Sequence, residues 1–300
     1  MRIATLFLFF LLSLSSFSQS GLDVFLKPSD TLNNPRRNAV IISEASLATV
    51  SLIALDQLWY ADFDRSKFHT VNDNSEWLQM DKIGHVFTSY QVGKIGANLL
   101  AWSGVRKQDQ LLYGATLGFA YLTAVEVLDG YSKEWGFSWG DMFANAAGTG
   151  LYIGQELLWN EQRIALKYSF HQTNFADKRP EKLGESIIEQ ALKDYNGQTY
   201  WLSINLFSFF KDSKIPKWLN VAVGYGGEGM LYGDQNTENQ FFISDNRYRQ
   251  FYLSLDLNLS AIQTNSRFLS TLFDVFNMIK IPFPTLEINK KRGVFHLFYY

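Results

Sequence analysis

Between Arg36 and Arg179 apolar residues recur in segments of helical length, and all six prolines of the chain lie outside that stretch. Proline is poorly tolerated inside a helix, so the stretch is predicted to be helical. Four helices are expected, near 38–60, 77–103, 108–129 and 138–161. Asn38 and Ser138 are the expected N-caps, and Gly104 and Gly130 the terminators. Each segment is apolar almost all round but carries polar interruptions: Glu44 and Asp56, then His85 and Lys94, then Glu126, then Asn145 and Glu156. These leave no unbroken run of transmembrane length. Gly114 and Gly118, and Gly150 and Gly154, are spaced to let helix backbones approach closely.

After residue 164 the period changes to two. In Phe251-Tyr-Leu-Ser-Leu-Asp-Leu-Asn-Leu-Ser260 every odd position is apolar, which predicts a strand with Leu253, Leu255, Leu257 and Leu259 on one apolar face. Similar alternation marks 219–225, 200–210, 164–170 and 294–300. The glycines of Gly224-Tyr-Gly-Gly-Glu-Gly229 lack the strand-to-helix setting of a phosphate-binding loop and predict a bulge or a close backbone approach. Short helices are expected near 185–193 and 268–278, after a linker over 173–184. The fold class is therefore α+β: a four-helix bundle over 36–163, then an antiparallel β region over 164–300 that suits a small or partial membrane barrel. Five or six strands fall short of the roughly eight that close a bacterial barrel.

Composition sharpens the compartment. Residues 1–18 read as a secretory signal peptide: Arg2, an apolar run from Ile3 to Leu14, then small residues before Gln19. The chain has no cysteine, so it is expected to carry no disulfide and no thioether-linked lipid, and to be stabilised by burial. A net charge of -2 with no basic block excludes a nucleic-acid groove. Aromatic residues make up 16% of the chain against 19% charged, which suits apolar surfaces in or against lipid, so membrane lipid or envelope components are the expected partners.

The candidate chemistry lies in the helical half. Asp81 and His85 fall one turn apart, Glu126 and Asp129 three residues apart, and Asp141 and Asn145 four apart, so each of three helices presents a polar pair on one face. Lys82 and Ser138 adjoin them. Buried charges need partners, so the pairs should face one another or a polar pocket. Three readings stay open: a polar network that fixes helix register, a divalent-metal or ligand site using Glu126, Asp129 and Asp141, and catalysis with His85 as base oriented by Asp81. Ser138 to Asp141 also fits a helix cap, and one histidine without cysteine lacks the usual zinc ligands. His69, His171 and His296 have no acidic neighbour at ligand spacing along the chain.

The runs Asp81-Lys-Ile-Gly-His85, Glu126-Val-Leu-Asp129-Gly130 and Gly136-Phe-Ser-Trp-Gly-Asp-Met-Phe-Ala-Asn145 resemble the YfiM-like family of predicted periplasmic lipoproteins, a domain of unknown function, over about residues 75–160. More distantly their order is similar to the VanZ-like membrane family. The chain departs from that pattern in ending the acidic pair with Asp129, where glutamine is usual, and in having no arginine before Asp141. The resemblance implies a location in the cell envelope and a shared polar site, without a reaction; the aromatic C-terminus, Phe295 to Tyr300, resembles the final strand of outer-membrane barrels, so periplasm or outer membrane is the expected location. Two functions follow as expectations: an exported envelope protein, membrane-associated and structural or ligand-binding, or a metal-dependent hydrolase or transferase acting on lipid or cell-wall material.

Overall fold

The computed structural model describes residues 19–60, 63–241 and 246–299. The expected signal peptide and Tyr300 lie outside them. A short helix, α1 (Gln19–Leu26), precedes α2 (Asn34–Leu55), which continues through a wider π-type turn over Asp56–Tyr60. Its N-cap is Asn33, which accepts the Arg36 N–H, and not Asn38. Pro35 has no N–H to lose in the first turn, so the helix starts before the proline-free stretch does. α3 (Met80–Trp102), α4 (Leu117–Gly130) and α5 (Trp139–Trp159) follow, with Lys107–Gly114 forming extra turns ahead of α4.

Three helices pack together where four were expected to form a bundle. α3, α4 and α5 contact one another, while α2 buries only Val40 and leaves Ile42, Leu47 and Val50 more than 60% exposed. Close crossings are made at glycine: a Cβ on Gly118 would lie 2.2 Å from Ser89 O, and one on Gly148 2.1 Å from Val86 O. Gly150 and Gly154 face open space instead, so the fourth-helix pair is not a contact surface. By length and composition, Asn34–Leu55 and Lys107–Gly130 each suffice to cross a membrane, despite their polar interruptions.

The second half is one antiparallel sheet in sequential order: β3 (Ile164–Phe170), β4 (Gln198–Asn205), β5 (Leu219–Glu228), β6 (Tyr248–Leu257), β7 (Phe283–Asn289) and β8 (Gly293–Tyr299). A separate two-residue parallel pair, β1 (Thr70–Val71) with β2 (Phe137–Ser138), ties the loop before α3 to the start of α5. The alternation of β6 is as expected, but the strand ends at Leu257, and Leu259 begins a 3₁₀ turn. β7, a strand with prolines at its approach, was not anticipated from the sequence. Helices α6 (Ile187–Lys193) and α7 (Arg267–Phe276) form near the expected segments. Gly224 makes the close approach expected of its cluster: a Cβ there would sit 2.7 Å from the Trp201 ring.

The sheet curls without closing into a barrel. β8 does not pair with β3. The outer edge of β3 instead exchanges hydrogen bonds with Met278 and Lys280 at 2.9 Å each. Tyr299 on β8 nevertheless reaches across the inner face, sharing a hydrogen bond with Thr199 on β4 at 3.1 Å and stacking near Trp201 and Tyr252. The inner face is polar: Lys167, Ser203, Asn220, Ser254, Asp256 and Thr285 are buried. The outer face is apolar and exposed. Leu202, Val223, Leu253, Leu286 and Phe295 stand in register across five consecutive strands, each 41 to 67% exposed. A sheet on an ordinary core has the opposite polarity.

Candidate functional site

The polar residues singled out in the helical half converge at one end of the three-helix core. α3 enters the site through a strained turn, since Trp77, Leu78 and Gln79 all have positive φ, between 45° and 64°. Left-handed backbone costs a non-glycine residue roughly 1–2 kcal/mol, and three in succession persist only where the surroundings fix them. The sheet half does so here. Tyr225 OH donates to Leu78 O at 2.5 Å, Arg249 donates to Gln79 Oε1 at 2.5 Å, and Leu78 and Met80 pack against Met230.

One turn into α3, Lys82 lies among three carboxylates: Asp73 at 2.7 Å, Asp141 Oδ2 at 2.9 Å and Asp81 Oδ2 at 3.4 Å. Ser138 joins three elements. Its hydroxyl donates to Asp73 Oδ1 at 2.6 Å and accepts the Asp141 N–H at 3.2 Å, while its own N–H donates to Glu126 Oε2 at 3.0 Å. Asp141 is thus capped through its backbone while its side chain serves the cluster, so the cap and the site are the same feature. Tyr195, from the sheet half, donates to Asp81 Oδ1 at 2.6 Å. Asp129 turns the other way, accepting from Tyr60 OH at 2.6 Å.

His85 stands at the centre. Its Nδ1 is 3.0 Å from Asn145 Oδ1, and its Nε2 faces Glu126 Oε1 at 3.7 Å, Asp81 Oδ1 at 3.9 Å and Asp141 Oδ1 at 3.9 Å. Asp141 Oδ1 has no hydrogen-bond partner although the residue is only 3% exposed. Asp81, Tyr195 and His85 also wall a largely apolar cavity of about 390 Å³ that reaches Phe87, Leu122 and Leu192.

The electrostatics divide the acids. Burial pushes Glu126 up to about 8, against the opposing pull of His85, and the Asp141 charge adds to the rise. Burial likewise lifts Asp129 to about 7 and Asp141 to about 6, the latter helped by the Asp81 charge. Asp81 goes the other way: burial works against its ionisation, but His85, Lys82 and the Tyr195 hydroxyl hold it below the usual range. Burial opposes the charged form of His85 too, and the surrounding Asp81, Asp141 and Glu126 outweigh it, so its pKa is raised. The arrangement holds protons or cations among carboxylates in a dry setting, the condition under which such groups bind metals or move protons.

Sequence spacing named Asp81, Lys82, His85, Glu126, Ser138, Asp141 and Asn145, which are brought together, and Asp129, which borders the cluster. It missed Tyr60, at the end of the π-type turn after α2, and Asp73 and Tyr195, which come from loops; the three meet partners 65 to 114 residues away. Among them only Asp73 carried a signal, as an acid in a polar loop ahead of the helix. His296, expected to lack an acidic partner, pairs with Glu287 at 2.8 Å across the β7–β8 hairpin, a neighbour set by strand register.

No curated protein and no solved structure matches the chain. Residues 70–154, from β1 to the middle of α5, match the model of a family described as predicted periplasmic lipoprotein (DUF2279), a domain of unknown function, and the match covers the whole cluster except Tyr60 and Tyr195. The chain is similar over that segment to a periplasmic lipoprotein family, which supports an exported, periplasmic protein.

Proposed function

We propose that this is an envelope protein that seats the outer face of its sheet against the lipid of the outer membrane and presents the His85 cluster as a ligand-binding centre beside it. The observation that carries the reading is the inverted sheet: a register row of exposed Leu202, Val223, Leu253, Leu286 and Phe295 outside, and buried Lys167, Asp256, Ser254 and Thr285 inside. That is the polarity of a surface solvated by lipid. Further exposed apolar side chains stand on α2 (Ile42, Leu47) and on α5 (Phe143, Leu157, Leu158), more than a soluble surface usually shows. Vesicle flotation tests it. The purified chain should float with phosphatidylcholine/phosphatidylglycerol vesicles, and Leu253→Asp and, beside it, Leu255→Asp should each weaken partitioning by up to ~2 kcal/mol while leaving the fold intact in detergent. A chain that stays in the aqueous fraction as a discrete dimer would assign the row to a second copy and overturn the reading.

A second reading, hydrolysis or transfer on lipid or cell-wall material, is favoured by one observation. The apolar cavity of about 390 Å³ opens on Asp81 and His85, placing a base beside space for an acyl chain. Release of fatty acid or headgroup from labelled envelope lipids, abolished by His85→Ala, is the outcome that would establish it.

A further inference from the structure

His85 Nε2 is ringed by three carboxylate oxygens at 3.7, 3.9 and 3.9 Å, yet makes a hydrogen bond with none of them. The same chain shows what an imidazole and a carboxylate do when nothing holds them apart: His296 Nε2 and Glu287 Oε2 close to 2.8 Å. In the helical cluster each acid is restrained by other partners. Glu126 Oε2 is held by the Ser138 N–H and Asp141 Oδ2 by Lys82, while Asp81 is held on both oxygens, Oδ1 by Tyr195 OH and Oδ2 by Lys82. The oxygens left over, Glu126 Oε1 and the buried, unpartnered Asp141 Oδ1, point toward the imidazole, and Asp81 Oδ1 faces it while also accepting from Tyr195.

The tautomer agrees with this. Asn145 Oδ1 accepts at Nδ1, so the proton of a neutral ring sits there and the Nε2 lone pair faces the carboxylates. An amide or carbonyl oxygen behind a histidine is the usual support of a metal ligand. Donors bound at about 2.0–2.2 Å in a tetrahedron lie about 3.3–3.6 Å apart; the imidazole-to-oxygen spacings here are within a few tenths of an ångström of that, and the Asp81, His85 and Asp141 donors all lie within 4.8 Å of one another. Charge points the same way: Asp73, Asp81, Glu126, Asp129 and Asp141 face one ammonium, Lys82, and one imidazole. Lys82 neutralises Oδ2 of Asp73 and of Asp141; the Ser138 hydroxyl serves Asp73 Oδ1, and Asp141 Oδ1 is left without a partner.

We propose that His85 Nε2 with one oxygen each from Asp81 and Asp141, donors that all lie within 4.8 Å of one another, binds one divalent first-row transition-metal cation, with Glu126 Oε1 beside the imidazole at 3.7 Å. A nitrogen among carboxylate oxygens suits Mn²⁺ or Zn²⁺ better than the all-oxygen shell that Ca²⁺ and Mg²⁺ prefer. Asp129, turned to Tyr60, is not a ligand. The cavity beside Asp81 and His85 gives the ion a face that a further ligand can reach. The site stands whether or not the sheet meets lipid, because none of its residues lies on the sheet's outer face.

The test uses the untagged full chain in detergent, stripped with a chelator and titrated with Mn²⁺ and with Zn²⁺ by calorimetry, with metal content measured after dialysis. One ion per chain is expected. His85→Ala and the near-isosteric Asp141→Asn should each weaken binding at least tenfold, and Asn145→Ala by about 10–100-fold through loss of the histidine's support. Glu287→Gln, at the closed His296 pair, should leave it unchanged. Absence of a one-site isotherm with both ions in the parent chain overturns the proposal without reference to any variant. So does parental affinity retained in His85→Ala and Asp141→Asn. Should either variant fail to fold, ¹⁵N shifts of the imidazole in the parent, which must move at Nε2 on adding Zn²⁺, decide the matter.

Discussion

The two halves of the molecule bury charge in opposite ways. Inside the curled sheet Lys167 and Asp256, both fully buried, meet at 2.7 Å, and Ser203 donates to the same carboxylate oxygen at 2.6 Å. Inside the helices His85 is 15% exposed, at the wall of a cavity, and its Nε2 approaches no carboxylate closer than 3.7 Å. The first closes on one carboxylate oxygen, Asp256 Oδ2, while Oδ1 is buried without a hydrogen bond and has the Lys280 ammonium 3.8 Å away, a contact of opposite charges of the kind a fold needs when polar side chains fill its interior. The second is a set of donors fixed from outside and aimed at a common point. A buried charge is thus a poor sign of function by itself; what distinguishes the helical cluster is how its neighbours hold it open.

The comparison breaks most visibly in the sheet. Asp256→Asn would leave Lys167 and, 3.8 Å from the other oxygen, Lys280 buried without a counter-charge. Removing one partner of such a pair costs roughly 3–5 kcal/mol, so the denaturation midpoint in detergent should fall steeply. Joint replacement, Lys167→Met with Asp256→Leu, should recover much of the loss if the contact is only structural. A single substitution costing under about 1 kcal/mol would mean that the sheet interior is solvated and that its closed pair resembles a surface one.

In the helices the expected effect is smaller and differently shaped. His85→Ala and Asp141→Ala should each destabilise the chain, and the double variant should lose less than the sum by ~0.5–3 kcal/mol, because both belong to one cluster. Strict additivity, measured in the same denaturation assay, would make Asp141 a helix cap independent of the imidazole and would remove the basis for contrasting the two interiors.

How much of this could be read beforehand follows from the physics of each element. Helices α3 to α5 were legible because apolar runs and the Ser138 cap are local signals. The β6 alternation was legible too, but a period of two does not say which face is buried, and Ser254 and Asp256 turn inward while Leu253 and Leu255 face out. The three polar pairs were visible as same-face spacings on helices. Their convergence, and the roles of Tyr195 and Asp73, depend on contacts between distant segments that no local pattern encodes. The strained turn at Trp77–Gln79 was hidden for the same reason, since its supports, Tyr225 and Arg249, come from the sheet.

The smallest effect offers the sharpest distinction between an open cluster and a closed pair. Glu126 titrates near its ordinary value of 4.5 when unfolded but at about 8 in the metal-free fold, with burial the first cause. A carboxyl raised in this way contributes stability that is fully present below about 4.5 and is lost as pH rises through about 8, since the folded state then binds the extra proton across that window. Asp129 at about 7 and Asp141 at about 6 act in the same direction, as does the raised His85, whereas His171, lowered first by burial, opposes them. Chelated protein should therefore be more stable at pH 5 than at pH 8. Glu126→Gln keeps an oxygen for the Ser138 N–H but cannot ionise, so it should flatten the slope by at most ~1.4 kcal/mol per pH unit, the limit for one proton. Adding Mn²⁺ or Zn²⁺ to the parent should reverse the trend, because a cation favours deprotonated ligands and binds more tightly as pH rises. Denaturation curves at pH 5, 6, 7 and 8, with and without the ion, measure all three outcomes. A slope unchanged by Glu126→Gln would show that this carboxyl is ionised and satisfied in the metal-free fold, as a member of a closed pair would be.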